Sequence, residues 1–318
     1  MTNPTARSTL PLWDIPQNAA LQLINVSENE TYLVEAPDYK VILRLHRIGY
    51  HSKCAIESEL AWSSALTRDT GIEAPRAIAG RNAALVQTIT PDGLPPQHAV
   101  LFEFIEGTHP DESQDLAPAF HNLGLIAAQT HLHSITWQRP ASFERLAWDR
   151  DAVFGQTPTW SDWRDAPHVS TDIRRVLERA QRTVTHRLNA YGQDAGCYGL
   201  IHADMRLANL LLLGDNTCLI DFDDCGFGWF MYDFAAAISF IEDSSQIPAL
   251  RTAWLAGYRS IRTLTAEDEQ IIDTLIILRR MALLAWIGSH MEATEAQALA
   301  PDFAKVTAQL ATKYLAAT

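Results

Sequence analysis

The stretch IHADMRLANLLLLGDNTCLIDFDD, Ile201 to Asp224, constrains this chain more than any other. Two apolar runs of strand length flank Gly214-Asp215-Asn216, which has the composition of a tight turn. LIHAD brings an apolar strand to a loop at His202, LANLLLL returns as a second strand, and CLIDFDD is its partner, ending in carboxylates. Such a hairpin sets Asn209 and Asp221 near one end, with Asp204 on the loop beside them. A carboxylate and an amide oxygen suit a hard cation such as Mg²⁺, which completes its shell with water and phosphate. A second carboxylate that is not a metal ligand can accept a proton from a substrate hydroxyl. The plainer reading is a turn with solvating acids.

The chain has 318 residues, 47% hydrophobic and 20% charged, enough for one large domain or two lobes. Its net charge of -13 excludes general nucleic-acid binding, which relies on Lys and Arg neutralising phosphates. That acidity suits a cationic or zwitterionic substrate, and equally a well-solvated surface. Four cysteines form no CxxC pair, and Cys218 and Cys225 read as buried thiols. The N-terminus lacks an apolar core of signal-peptide length. The apolar run Ile271 to Gly288 is broken by Asp273, Arg279 and Arg280, so it reads as a buried helix and no membrane span is expected. The expected location is the cytoplasm.

Residues 1–105 read as a small sheet-rich part with one helix. YLVEA and KVILRLHR alternate as antiparallel strands with one wet face. CAIESELAWSSALTRDTG reads as a helix with Ile56, Leu60 and Ser64 on one face and Gly71 as its stop. Residues 106–318 read as a larger, mainly helical part. LAPAFHNLGLIAAQTHLHSI and TDIRRVLERAQRTVTHRLNAYG carry apolar residues at helical spacing. His131 reads as a packed helix histidine, and its i, i+2 spacing from His133 argues against a joint metal site. The segment from Pro140 to Pro167 reads as an irregular insertion. Its Trp148, Trp160 and Trp163 either line a substrate pocket or pack on the surface of a long loop.

HADMRLAN fits H-x-D-x-x-x-x-N, the spacing of a protein-kinase catalytic loop, and IDFDD stands where that fold carries its Asp-Phe-Gly metal motif. With SENETYLV, VILRLHR, IESELAW, LFEFIEG and MYDFAAAI in order, the chain resembles the aminoglycoside phosphotransferase and choline kinase family over residues 20 to 290. Within it, the nearest group holds type II homoserine kinase and stress-response kinase A. The resemblance implies an α+β, protein-kinase-like bilobal fold, with a small antiparallel-sheet lobe and a larger helical lobe. It implies Asp204 as the catalytic base, Asn209 and Asp221 as metal ligands, His202 as a brace of the loop, and Asp233 as a cap on the loop's backbone amides. It implies ATP and Mg²⁺ as cofactors. Arg44 stands for the usual phosphate-contacting Lys and Glu59 for its helix partner. Ser27 and Asn29 lie in a glycine-free counterpart of the phosphate loop. The C=O of Glu103 and the N–H of Ile105 stand where adenine is read.

Three residues depart from the pattern or extend it. Arg206 either contacts the transferred phosphoryl group or forms a salt bridge with a nearby acid. Asp223 replaces the Gly of Asp-Phe-Gly, and it or Asp224 serves a second metal, a substrate amine or a turn. The leading expectation is a kinase acting on a hydroxyl of a small metabolite, an amino alcohol or hydroxy amino acid. The alternatives are a protein Ser/Thr kinase of the stress-response type and a silent nucleotide-binding module. The missing activation segment between Asp221 and YDFA argues against the first alternative. The sequence names neither the acceptor nor the oligomeric state.

Overall fold

The computed structural model describes residues 3–318 except 27, 38, 91, 92, 94, 111–114, 214 and 215. Ser27 and the Gly214-Asp215 part of the expected turn lie outside the described residues. In chain order the elements begin with α1 (Pro4–Thr9), β1 (Ala20–Val26), β2 (Asn29–Ala36), β3 (Tyr39–His46), α2 (Lys53–Thr70), β4 (Ala77–Ile78), β5 (Gln87–Ile89) and β6 (Gln97–Glu103). There follow α3 (Ala117–Thr136), β7 (Leu146–Ala147), α4 (Arg150–Phe154), α5 (Thr171–Tyr191), β8 (Tyr198–Ile201), β9 (Leu210–Leu213) and β10 (Asn216–Leu219). The last are β11 (Gly226–Trp229), α6 (Tyr232–Ala237), α7 (Ile247–Arg259), α8 (Ala266–Gln270), α9 (Ile272–Ser289) and α10 (Thr294–Ala317).

The chain forms two compact units, Met1–Thr108 with Gln138–Arg145 and Leu211–Asp223, and His109–Trp137 with Leu146–Leu210 and Asp224–Thr318. The sequence suggests a single join at 105/106, whereas the chain re-enters the first unit twice after it. Hydrogen bonds explain both returns. Ser58 Oγ accepts from the Glu144 N–H at 2.9 Å, and Arg145 Nη1 donates to the Ala55 carbonyl at 3.0 Å. Leu212 and Thr108 exchange backbone bonds of 2.8 and 3.2 Å, and the Leu219 N–H donates to Glu73. Asp221 and Asp223 thereby belong to the first unit.

In that unit an antiparallel sheet runs β1-β2-β3-β6-β4, with β5 also on β6. Strand alternation sends Val41, Leu43 and Leu45 to one face, where Ala6, Leu10 and Trp13 cover them. Ile42, Arg44 and His46 fall on the other face, the face of the cluster that Ile56 and Leu60 of α2 form with Val100 and Phe102. Arg44 and His46 are buried, so the expected wet face of β3 is confined to Lys40 near its start. The alternation was real, but the polar residues face charged partners instead of water. Ser52 caps α2 by accepting from the Ala55 N–H, and Gly71 ends it at φ 77°, a left-handed value suited to glycine. Ser64 is exposed, and Trp62 and Ser63 take the buried positions beside Ile56 and Leu60.

In the second unit β11 lies between β8 (antiparallel) and β7 (parallel). The expected insertion is partly ordered into β7, α4 and a 3-10 turn at Trp163–Asp165. Trp148, Trp160 and Trp163 are buried, which overturns the surface-packing reading. A Trp- and Pro-rich segment has no period to read, yet its rings need cover. CLIDFDD also departs from expectation: β10 stops at Leu219, and the acids follow in a turn where Asp221 has φ 60°. Helix α9 is buried all round, with Arg279 and Arg280 inside it. Among the described residues no helix is long and apolar enough to cross a membrane.

Helices α3 and α7 meet backbone to backbone. A Cβ at Gly124 would lie 1.9 Å from the Trp254 carbonyl oxygen, and one at Gly257 the same distance from that of His121. Gly257→Ala therefore forces the helices apart. We expect a loss of about 1–3 kcal/mol in denaturant unfolding, the usual cost of overpacking; an unchanged midpoint would contradict this packing.

Candidate active site

In the first unit, β3 and α2 bring Arg44 and Glu59 together, Nη2 to Oε1 at 2.5 Å. Arg44 Nη1 lies 3.5 Å from Asp221 Oδ1 and 3.9 Å from Asp223 Oδ1. Burial opposes the charge on Arg44, but Glu59, Asp223 and Asp221 outweigh it and hold the guanidinium charged. Asp221 is half exposed, while Asp223 is buried. His51 Nε2 lies 3.4 Å from Asp223 Oδ2 and His46 Nδ1 3.7 Å from its Oδ1. Burial alone would raise the Asp223 carboxyl; His51 and Arg44 hold it well below the carboxylate range. His46 is pushed well below the usual imidazole value by burial and by Arg44, so it is neutral. Asn29 is buried, and its Oδ1 accepts from the Arg47 N–H at 3.4 Å. Glu103 ends β6 with its N–H donating to the Arg76 carbonyl, and Ile105 follows the strand.

In the second unit, β8 delivers His202 to a loop that closes in a 3-10 turn, Leu207–Asn209. Ala203 sits at φ 67°, a region costly for a residue with a Cβ. Asp233 at the start of α6 compensates. Its Oδ1 accepts from the Ala203 N–H at 2.7 Å and its Oδ2 from the His202 N–H at 3.2 Å. His131 of α3 is 2.9 Å from Asp233 Oδ2 through Nε2 and 2.9 Å from the Tyr258 hydroxyl through Nδ1. Its ring stacks on Phe230 at 4.5 Å. Burial lowers the His131 pKa despite Asp233, so the neutral ring donates from Nε2 and accepts at Nδ1. Arg262 Nη1 donates to the same Tyr258 hydroxyl at 2.8 Å.

The pinned loop carries Asp204. His202 is buried, and its Nδ1 accepts from the Asp204 N–H at 3.3 Å. The Asp204 Oδ2 accepts from Asn209 Nδ2 at 2.7 Å and Arg206 Nε at 3.2 Å. Its Oδ1 accepts from Arg279 Nη2 at 2.6 Å. Burial raises the Asp204 carboxyl, but Arg206, Arg279 and His202 outweigh it and keep the group ionised. Asn209 Nδ2 also donates to the Asp204 carbonyl at 2.9 Å, which leaves its amide oxygen as the group able to serve a metal. Arg206 pairs with Glu295 at 3.2 Å as well as with Asp204, the salt bridge weighed from sequence. In the sequence Arg279 reads only as a break in an apolar run. A pair of arginines inside a helix otherwise buried all round was the signal available.

The model of the phosphotransferase enzyme family matches residues 21–264. The chain belongs to this family. It is a kinase-type phosphotransferase by these comparisons. A solved microcompartment-associated aminopropanol kinase is 43% identical, over 98% of this chain and 97% of that one, with a TM-score of 0.91. The amicoumacin kinase of Bacillus subtilis is 23% identical over 269 residues, 81% of this chain and 76% of that protein. A homoserine kinase of Granulibacter bethesdensis is 25% identical over 256 residues, 78% and 73% of the two chains.

Asp223 lends itself to a stability test. Its folded pKa is depressed, so its contribution is present above the unfolded carboxylate value and is lost as pH falls through the folded one. Asp223→Asn should lose about 3 kcal/mol in urea unfolding at neutral pH, the cost of breaking a buried charge pair. The gap to the parent should narrow below pH ~4. A gap independent of pH would contradict an ionised Asp223.

Proposed function

We propose that the protein is an ATP- and Mg²⁺-dependent kinase that transfers the γ-phosphoryl group to the hydroxyl of a small amino alcohol or hydroxy amino acid. The observation that carries this reading is the Asp204 carboxylate, ionised and held by three side chains on a loop pinned through Asp233. The hydroxyl oxygen of the acceptor forms the bond to the γ-phosphorus, and the bond from that phosphorus to the ADP oxygen breaks. The hydroxyl proton moves to Asp204. His202 braces the loop, and Arg206 holds the orientation of the carboxylate.

By the family pattern, Asn209 would offer its amide oxygen, and Asp221 a carboxylate oxygen, to Mg²⁺. Among the described residues no group of three or more His, Cys, Asp or Glu could hold a metal ion by itself. Mg²⁺ takes few protein oxygens and completes its shell from water and phosphate. When bound, Mg²⁺ supplies neutralisation of phosphate charge. Arg44, braced by Glu59, contacts phosphate oxygens, and Asn29, at the start of β2, stands in the phosphate-facing segment. The Glu103 carbonyl and the Ile105 N–H take adenine. Asp223 is the counter-charge of Arg44 rather than a substrate contact, because it is buried among Arg44, His46 and His51. The likeness to an aminopropanol kinase and the charge of -13 favour an amino alcohol over a hydroxy amino acid.

ATP consumption measured against amino alcohols, hydroxy amino acids, aminoglycosides and a generic protein tests this reading. Turnover is expected with a small amino alcohol, and Asp204→Ala should lower kcat by on the order of 10²–10⁴. Arg206→Ala should cost about tenfold, through loss of orientation. Labelling of protein alone would replace the reading with a protein kinase. Nucleotide binding with no turnover of any acceptor would replace it with a silent module.

A further inference from the structure

Arg206 makes one bond to Asp204 and reaches two groups outside the loop. Its Nε donates to Asp204 Oδ2 at 3.2 Å and its Nη1 to Glu295 Oε1 at 3.2 Å. Its guanidinium lies 5.5 Å from the Phe240 ring centroid. Arginine and a carboxylate favour a bidentate fork, two parallel N–H bonds to the two oxygens. Here the pairing differs. Asp204 Oδ2 takes one bond from Arg206, and Oδ1 takes its bond from Arg279. The Arg206 guanidinium is shared between two carboxylates, one on the loop and one on α10.

The surrounding elements fix where the second carboxylate stands. Glu295 lies in the first turn of α10. Farther along α10, Thr307 Oγ1 accepts from Arg280 Nε at 3.0 Å, and the Phe303 ring lies 3.5 Å from the Arg280 guanidinium. Arg280 also donates to the buried Glu242 at 2.6 Å. Phe240 packs between Trp286 of α9 and Phe303 of α10, with ring centroids 6.3 and 6.2 Å away. Its backbone is left-handed, at φ 73°, which a residue with a Cβ adopts only where its surroundings impose it. Helix α9 thus secures α10 through Arg280, the neighbour in sequence of the Arg279 that bonds Asp204.

A half-exposed ion pair contributes little to stability by itself, and an acid in the first turn of a helix also suits the helix dipole. Neither effect requires a largely buried guanidinium to be divided between Glu295 and Asp204. We infer that Glu295 is a positioning residue for the base: it holds Arg206 in the single-bond pairing with Asp204 and keeps it from closing on that carboxylate as a fork. A fork would place Arg206 N–H groups on both Asp204 oxygens and turn the carboxylate away from Arg279. Glu295 acts through Arg206 and touches no substrate. The inference rests on the reading above that Asp204 takes the proton of the acceptor hydroxyl.

The test compares the parent with Glu295→Ala, Arg206→Ala and the double variant, with aminopropanol as acceptor. Glu295→Ala should lower kcat about fivefold and leave the KM of ATP and of the acceptor within about twofold, because the base is misoriented and no substrate contact is lost. In the Arg206→Ala background the same substitution should cost less than about 1.5-fold, since a residue acting through Arg206 has nothing left to act on. The unfolding midpoint of Glu295→Ala should stay with that of the parent. A parent-like kcat in Glu295→Ala overturns the inference. So does a loss in the double variant equal to the product of the single losses, or a rise in acceptor KM alone. A crystal structure of Glu295→Ala tests the hold on Arg206 without turnover. It should show the guanidinium displaced, with two N–H groups on Asp204; a guanidinium left in place overturns the inference. Displacement of Arg206 together with no turnover of any alcohol by the parent supports the hold on Arg206 and overturns the functional reading alone.

Discussion

The second unit depends on what the carboxylate of Asp233 does at the start of α6. Two backbone amides of the loop, His202 and Ala203, donate to it. One of these residues is in a left-handed conformation that a residue with a Cβ adopts only under constraint. Without an acceptor, both buried amides would be orphaned. Asp233 is itself oriented by His131, which is oriented by Tyr258, which accepts from Arg262. The chain of bonds runs from α3 and α7 to the loop that carries Asp204. The two glycines that let α3 and α7 touch are thus part of what sets the position of that carboxylate.

Each unit also contains a charge cluster whose members depend on one another, buried in the first and partly buried in the second. In the first, Glu59 and Asp223 offset Arg44, and Asp221 stands at its edge. In the second, Arg206 and Arg279 offset Asp204. In both, burial acts against the charged state and named partners reverse it. Taking charges out of water is expensive, so such clusters are weak evidence for stability. On the proposed function they fix charge and orientation before a ligand arrives, the preorganisation that phosphoryl transfer uses.

Much of the framework was legible because it follows from local periodicity. Ile56 and Leu60 at helical spacing and Gly71 beyond them define α2, and β2 and β3 follow from alternation. The spacing of His202, Asp204 and Asn209 marks the loop, because a short segment fixes it without reference to the rest of the chain. What was not legible depends on partners distant in sequence. Arg44 and His46 read as a wet strand face because Glu59, His51 and Asp223 cannot be seen opposite them. Arg279 meets Asp204 from a helix whose period gives no hint of a polar function. The Trp148–Trp163 segment carries no period at all, and only its burial reveals that it is part of a core.

Asp233 holds the loop that presents Asp204. Amide hydrogen exchange at His202 and Ala203 measures this directly, in the parent and in Asp233→Asn. An amide side chain has a single acceptor oxygen, so it cannot serve both loop amides and His131. Exchange at His202 and Ala203 should be about a hundredfold faster in the variant, with β8 and α9 still protected. Equal protection of the two amides in parent and variant would contradict it.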